Sequence, residues 1–354
     1  MEPVNLDDYE RAAERALDTA VYGYVAGGFG DEWTLRENRA AFGRWCLRPR
    51  VLVDVSQVST RCEVLGAEVS MPVLVAPTAF QRLVHPDGEQ ATARAAAGAG
   101  TVMCLSTLGS LRPAELAADV PGAARWLQLY WSDDRGFTRE LVEEAAATGY
   151  GAIVLTVDLP VAGRRERDLL TRFAIPPDLP LPCISPKVPR PTDSGPGLGA
   201  IVDRQLTWRD LEWLRSCSRL PVVLKGVLTA EDAELACEHG ADGLVVSNHG
   251  GRQLDGVAAT LDALPEVVDA VDGRAVVLID GGVRRGSDVL KALALGARAA
   301  LVGRAALYGL AAAGDDGVRH VLDLLRDEMA LGLALLGCPT PDAVTRAHVA
   351  PASR

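Results

Sequence analysis

Ser247-Asn248-His249-Gly250-Gly251-Arg252 follows directly on the apolar run 243–246, which sets an imidazole and a guanidinium three residues apart at the mouth of a predicted buried strand. That pairing suits removal of a proton from an anion. A neutral histidine acts as a general base near neutral pH, and an arginine grips a carboxylate through two parallel hydrogen bonds. The glycines between them let the backbone approach a ligand closely. A single histidine in a polar loop often does no more than cap a strand, so the surrounding sequence must carry the argument.

The elements that would position this group repeat along the chain. Short apolar runs at 72–76, 101–105, 126–129, 152–156, 222–224, 243–246, 275–279 and 299–302 read as strands. Between them lie amphipathic segments such as 89–97, 138–147, 229–239 and 287–295, opened by Ser, Thr or Asp and closed by Gly, which are helix start and stop signals. Continuously apolar strands are buried on both faces, as parallel strands covered by helices must be. Eight such alternations predict an α/β fold, a (β/α)8 TIM barrel over 71–313, in one domain spanning 1–354. Residues 1–70 read as a helical extension with starts near Asn5 and Thr19 and a break at Gly27-Gly28, and 314–354 as a C-terminal helix and tail. The proline-rich stretch 159–206 after the fourth strand, with a flexible Asp193-Ser194-Gly195, is too long for a plain connection and is expected to be an active-site loop.

Barrel enzymes carry their reactive groups just after the strands, and polar residues accumulate there. Pro77-Thr78-Ala79 follow the first strand, Ser106 ends the second, Gln128 and Tyr130 mark the third, and Thr156, Asp158 and Arg164-Arg165 the fourth. Lys225 ends the fifth, Ser247 to Arg252 follow the sixth, Asp280-Gly281-Gly282-Val283-Arg284 the seventh, and Gly303-Arg304 the eighth. The last two groups suit a phosphate, because glycine backbone N–H groups and a following helix start favour an anion and Arg284 and Arg304 add charge-assisted bonds. No Gly-x-Gly-x-x-Gly follows an early strand and no Gly-x-x-x-x-Gly-Lys-Ser/Thr occurs, so a phosphorylated cofactor inside the barrel is expected instead of a nicotinamide or nucleoside triphosphate. Lys225 leaves two options, a pyridoxal Schiff base or a flavin whose N1-C2=O edge needs a cation.

Bulk properties narrow the partners. A net charge of −11 leaves no basic surface for a nucleic acid. The seven cysteines form no Cys-x-x-Cys pair and read as reduced, mostly buried thiols. The first residues lack the basic and apolar regions of a signal peptide and no apolar stretch is long enough for a bilayer, so a cytoplasmic protein without a membrane partner is expected. No metal-ligand cluster is evident, and His85, His239, His320 and His348 are expected to be structural or surface groups.

The motifs Tyr24-Val25-Ala26-Gly27-Gly28, Asp31-Glu32-Trp33-Thr34-Leu35-x-x-Asn38, Ala76-Pro77-Thr78-Ala79, Gln128-Leu129-Tyr130, Thr156-Val157-Asp158, Gly163-Arg164-Arg165-Glu166, Leu224-Lys225-Gly226, the histidine hexapeptide and Asp280 to Gly286 occur in order along nearly the whole chain. Together they resemble the FMN-dependent 2-hydroxy acid oxidases and dehydrogenases, the family of the glycolate, lactate and mandelate oxidases. The resemblance implies FMN as cofactor and oxidation of an (S)-2-hydroxy acid to the 2-oxo acid, with O2 reduced to H2O2, in a homotetramer. It makes His249 the base, with Asp158 stabilising the imidazolium and Tyr130 bonding the substrate oxygen. It gives Arg165, Arg252 and Tyr24 to the substrate carboxylate. For the flavin it implies Pro77, Thr78 and Ala79 beside N5, Ser106, Gln128 and Thr156 on the ring, and Lys225 at N1. Ser247 and Asp280 would reach ring or ribityl, and Gly281, Gly282, Arg284, Gly303 and Arg304 the phosphate end.

Two positions depart from the plant glycolate oxidase pattern. Leu108 and Val161 stand where those enzymes tend to carry tryptophan and arginine, which implies an apolar, roomier pocket and a medium or aromatic substrate alongside lactate or glycolate. The competing readings are a dehydrogenase passing electrons to a quinone or other carrier, a non-redox FMN isomerase on the same barrel, and a phosphate-binding barrel without catalysis.

Overall fold

A computed structural model describes residues 3–352. Eight parallel strands close into a barrel: β1 (Val73–Val75), β2 (Met103–Ser106), β3 (Arg125–Leu129), β4 (Ile153–Thr156), β5 (Val222–Val227), β6 (Gly243–Val246), β7 (Val276–Asp280) and β8 (Ala299–Val302). Each pairs with its sequence neighbour and β8 closes on β1 through Ala300 opposite Val73. The predicted strands all form, because residues buried on both faces leave a continuous apolar run. Leu74, Cys104, Trp126, Val154, Val223, Val245, Leu278 and Leu301 belong to one cluster that fills the barrel, while Val75, Met103, Leu127, Ile153 and Leu224 pack outward on the helices.

The amino-terminal extension is helical as expected. Asn5 caps the helix Leu6–Ala16 by accepting from the Asp8 N–H, and Asp18, one residue before the expected start, caps Thr19–Ala26. The extension also contains three-residue strands that were not expected. Cys62–Val64 and Ala67–Val69 form a hairpin whose Leu65 packs near Gly243, at the amino-terminal end of β6, so the hairpin plugs the face opposite the predicted site. Trp45–Leu47 pairs with Val349–Pro351 and ties the two ends of the chain together. The long helix Arg304–Leu336 breaks at Ala313 and at Gly314 (φ 59°), which is where the barrel was expected to end and the C-terminal helix to begin.

The 159–206 stretch is better ordered than its composition suggests. It holds two short helices, Glu166–Thr171 and Pro196–Gly199. Asp193, expected to be flexible, accepts from the N–H groups of Gly195 (2.8 Å) and Gly197 (3.0 Å), and Ser194 is buried.

Candidate active site

A cavity opens at the carboxyl ends of the strands and collects most of the predicted residues. Pro77, Thr78 and Ala79 line it from beyond β1, Ser106 and Leu108 from β2, Gln128 and Tyr130 from β3, and Thr156 and Arg165 from β4. Lys225, His249, Arg252, Asp280, Gly281, Gly282, Arg284, Gly303 and Arg304 complete the ring. Tyr24 enters from the amino-terminal extension. Asp158 and Ser247 stand behind this wall as partners of His249 and Lys225.

The base is built as a pair. His249 Nδ1 donates to Asp158 Oδ1 at 2.9 Å, and since a carboxylate only accepts, the proton sits on Nδ1 and Nε2 is left as the basic nitrogen. Burial holds the imidazole below the usual histidine range, against the pull of Asp158, and the nearby Lys225 and Arg252 charges lower it further. Burial works against the Asp158 anion, but the His249 and Lys225 contacts outweigh it and keep the carboxylate ionised. Local backbone serves this arrangement. His249 itself lies in the left-handed region (φ 58°), an uncommon conformation for a non-glycine residue, supported by its N–H donating to Ser247 Oγ at 3.1 Å. Gly226 (φ 118°) leaves the space that Asp158 fills, since a Cβ there would lie 2.5 Å from Asp158 Cβ.

Two guanidiniums converge over one aromatic ring. Arg165 Cζ stands 5.5 Å and Arg252 Cζ 4.8 Å from the centre of the Tyr24 ring, which is stacked on Phe173 at 4.4 Å. Arg252 Nη1 donates to the carbonyls of Tyr24 (2.7 Å) and Gly27 (2.9 Å). Burial, then the charge of Arg165, lowers Arg252 to about 10, so it stays cationic at neutral pH. Tyr130 is pushed well above the usual phenol range by burial and keeps its proton.

Deeper in the barrel, Lys225 Nζ bonds Asp280 Oδ2 (3.0 Å) and Ser247 Oγ (2.9 Å), while Gln128 accepts from Ser106 Oγ (2.9 Å) and donates to Thr156 Oγ1 (3.0 Å). At the far end, Gly282 (φ 83°) is required by packing as well as by any ligand, since a Cβ would lie 2.0 Å from the Asn38 carbonyl. Arg304 spends three of its five N–H donors on the carbonyls of Val25, Gly250 and Gly27.

One prediction is corrected. Val161 does not line the cavity; the residue is 47% exposed, because Gln253 Nε2 binds the carbonyls of Asp158 and Val161 (2.9 Å each) and holds this turn outward. Leu159 and Leu198 form apolar wall instead. Neither was anticipated, although Leu159 directly follows Asp158. Asn38 was noted only within a motif, yet it makes a reciprocal amide pair with Asn248 (2.8 Å both ways) that docks the extension under the histidine loop.

The donor set fits FMN. Asp280 Oδ1 and Arg284 Nε are buried and lack hydrogen-bond partners among the described residues, one an acceptor for a polyol and the other a donor for a phosphate. Lys225 has its Nζ committed to a hydroxyl and a carboxylate, which suits a buried fixed cation rather than a Schiff-base nucleophile. No cluster able to hold a metal occurs among the described residues.

A barrel with this cavity, a buried lysine and an imidazole beside paired guanidiniums has the build of a flavin-dependent oxidoreductase acting on an anion. The family described as FMN-dependent dehydrogenase matches residues 13–351, and the chain belongs to it. It is 50% identical over 355 residues to glycolate oxidase 3 of Arabidopsis thaliana, covering 99% of this chain and 96% of that one. It is 51% identical over 346 residues to an L-lactate oxidase of Nostoc, covering 95% of each. A solved mandelate oxidase with 3,3-difluoro-2-hydroxy-3-phenylpropionic acid superposes with a TM-score of 0.89 at 43% identity, over 99% of this chain and 100% of that one. Membership of a family described as FMN-dependent dehydrogenase sets aside the non-catalytic barrel, the pyridoxal option and the non-redox isomerase.

Proposed function

We propose that this FMN enzyme oxidises an (S)-2-hydroxy acid to the 2-oxo acid and passes the two electrons to O2, giving H2O2. The observation that carries the reading is a base, His249, and two carboxylate-binding cations, Arg165 and Arg252, on the rim of one cavity. When bound, FMN supplies the acceptor for the electron pair leaving the α-carbon. Pro77, Thr78, Ala79, Ser106, Gln128, Thr156 and Lys225 would hold its ring, Asp280 its ribityl chain, and Gly281, Gly282, Arg284, Gly303 and Arg304 its phosphate end.

The protein residues then divide the work. Arg252 and Arg165 hold the carboxylate and so aim the α-carbon. Tyr130, protonated throughout the working range, donates to the substrate oxygen, and His249 Nε2 receives a proton. Asp158 offsets the imidazolium as it forms. Anaerobic titration with glycolate, (S)-lactate and (S)-mandelate tests cofactor and reaction together: bleaching of the flavin is expected, and none with any of the three rejects the reading. In air, dye reduction without peroxide would assign the electrons to a carrier instead.

Burial favours the neutral imidazole, so kcat/KM is expected to be flat at neutral pH and to fall as pH drops through a midpoint below 6.5, about tenfold per pH unit. A midpoint above that value would contradict the assignment of His249 as a base kept neutral by burial.

The wall formed by Leu108, Leu159 and Leu198 supports a medium or aromatic side chain. Leu108→Trp would overfill it, and kcat/KM for mandelate should fall roughly 100-fold with glycolate within about threefold. Equal effects on both substrates would remove Leu108 from side-chain selection. We also infer a homotetramer, on the family resemblance alone, and a cytoplasmic location. In support, all seven cysteines are free, and among the described residues no helix is long and apolar enough to cross a membrane.

A further inference from the structure

Arg165 does not stand free at the cavity. Its Nε donates to Asp168 Oδ2 at 2.9 Å and its Nη2 to the carbonyl of Ser194, while Ser194 Oγ donates to the same Asp168 oxygen. Both members of the ion pair are almost wholly buried, with side chains 4% and 6% exposed, so the bonds operate without competing water. Asp168 Oδ1 is also buried and has no partner among the described residues, which leaves Arg165 and Ser194 as the groups that satisfy this carboxylate.

Ser194 opens the turn that Asp193 organises, and four residues further on Leu198 lines the cavity. On the other side, the Asp168 carbonyl accepts from the N–H of Phe173, whose ring stacks on Tyr24 beneath both guanidiniums. One buried residue, Asp168, therefore joins a carboxylate-binding arginine and the apolar wall through its carboxylate, and the ring stack through its backbone carbonyl. Displacing the Leu198 turn breaks two hydrogen bonds to buried charged groups, and displacing Arg165 breaks the same network from the opposite end.

We propose that Asp168 and Ser194 are positioning residues that make capture of a substrate carboxylate at Arg165 and the seating of Leu198 against its side chain a single event. The inference rests on the 2-hydroxy acid reading, because only a ligand with a carboxylate beside a side chain engages both ends. Two of the five Arg165 N–H donors are spent on Asp168 and Ser194, and three remain for a ligand. An anion on those three reinforces the arginine and, through Asp168 and the bond to the Ser194 carbonyl, the 190–200 segment.

Hydrogen exchange of peptides covering 190–200 in the FMN holoenzyme, with and without saturating pyruvate, tests this, with pyruvate binding followed separately through the visible spectrum of the flavin. Exchange should slow about tenfold on binding in the unaltered protein and by less than about twofold in Ser194→Ala, whose pyruvate Kd should rise about tenfold. Asp168→Asn is the second variant, with retention of bound flavin as the check that each is folded. A spectral response with unchanged exchange, or equal protection in Ser194→Ala, overturns the coupling alone. Absence of a spectral response to pyruvate and equally to glyoxylate and phenylglyoxylate, the 2-oxo acids of the three substrates titrated above, overturns the 2-hydroxy acid reading, and the coupling with it.

Discussion

His249→Ala is expected to slow anaerobic flavin reduction by about 10^3- to 10^4-fold while leaving FMN bound. The magnitude is at the upper end of what a positioned general base contributes. The geometry supports that end, since Asp158 both orients the ring and offsets the charge that forms on it. Flavin retention follows from where the ring makes its bonds. The side chain pairs with Asp158, whereas the proposed flavin contacts at Lys225 and Asp280 are held by Ser247 and by each other. Stopped-flow reduction with a saturating 2-hydroxy acid measures the effect directly. A rate within tenfold of the unaltered protein would mean that another group takes the proton. Asp158→Asn should cost less, because the amide keeps a hydrogen-bonding partner for the ring but no longer offsets its charge.

The parts of this site that could be read in the sequence follow from topology. Once eight apolar runs are recognised as parallel strands, every polar residue at a carboxyl end is brought to one face, so Gln128, Thr156, Lys225 and Asp280 meet without any knowledge of side-chain contacts. What escaped depends on orientation in irregular chain. Val161 was placed in the wall by its correspondence to an arginine position of the plant glycolate oxidase pattern, but the turn that carries it is set by a glutamine ninety-two residues away. Leu198 sits in a stretch whose glycines and prolines give no apolar periodicity, and only the Asp193 turn and the Ser194 bonds bring it to the cavity. The pairing of Trp45–Leu47 with Val349–Pro351 had no local signal, since three residues are too few to show alternation and the partners lie at opposite ends of the chain. Arg165 was legible as a cation, whereas Asp168, three residues on, was not singled out although that spacing places both on the same side of a short helical turn.

Arg252→Met should lower kcat/KM by about 10^2- to 10^4-fold. The estimate comes from two charge-assisted hydrogen bonds to a carboxylate, each about 1.5–3 kcal/mol, at about 1.4 kcal/mol per factor of ten. The surroundings make Arg252 the more consequential of the two guanidiniums. Arg165 has Asp168 as a counter-ion, whereas the hydrogen-bond partners of Arg252 among the described residues are the neutral carbonyls of Tyr24 and Gly27. Its charge, already opposed by burial and by Arg165, is therefore the one a substrate anion relieves. Arg252→Lys keeps the cation but loses the planar fork, and should recover only part of the loss. The distinguishing comparison uses the methyl ester of the best substrate. The unaltered enzyme should prefer the acid strongly, and in Arg252→Met that preference should shrink by the same factor that the acid loses, because the ester never made the bonds removed. An acid-to-ester ratio unchanged by the substitution would show that Arg252 organises the Tyr24 and Gly27 backbone without touching the carboxylate, and would leave Arg165 as the group that binds it.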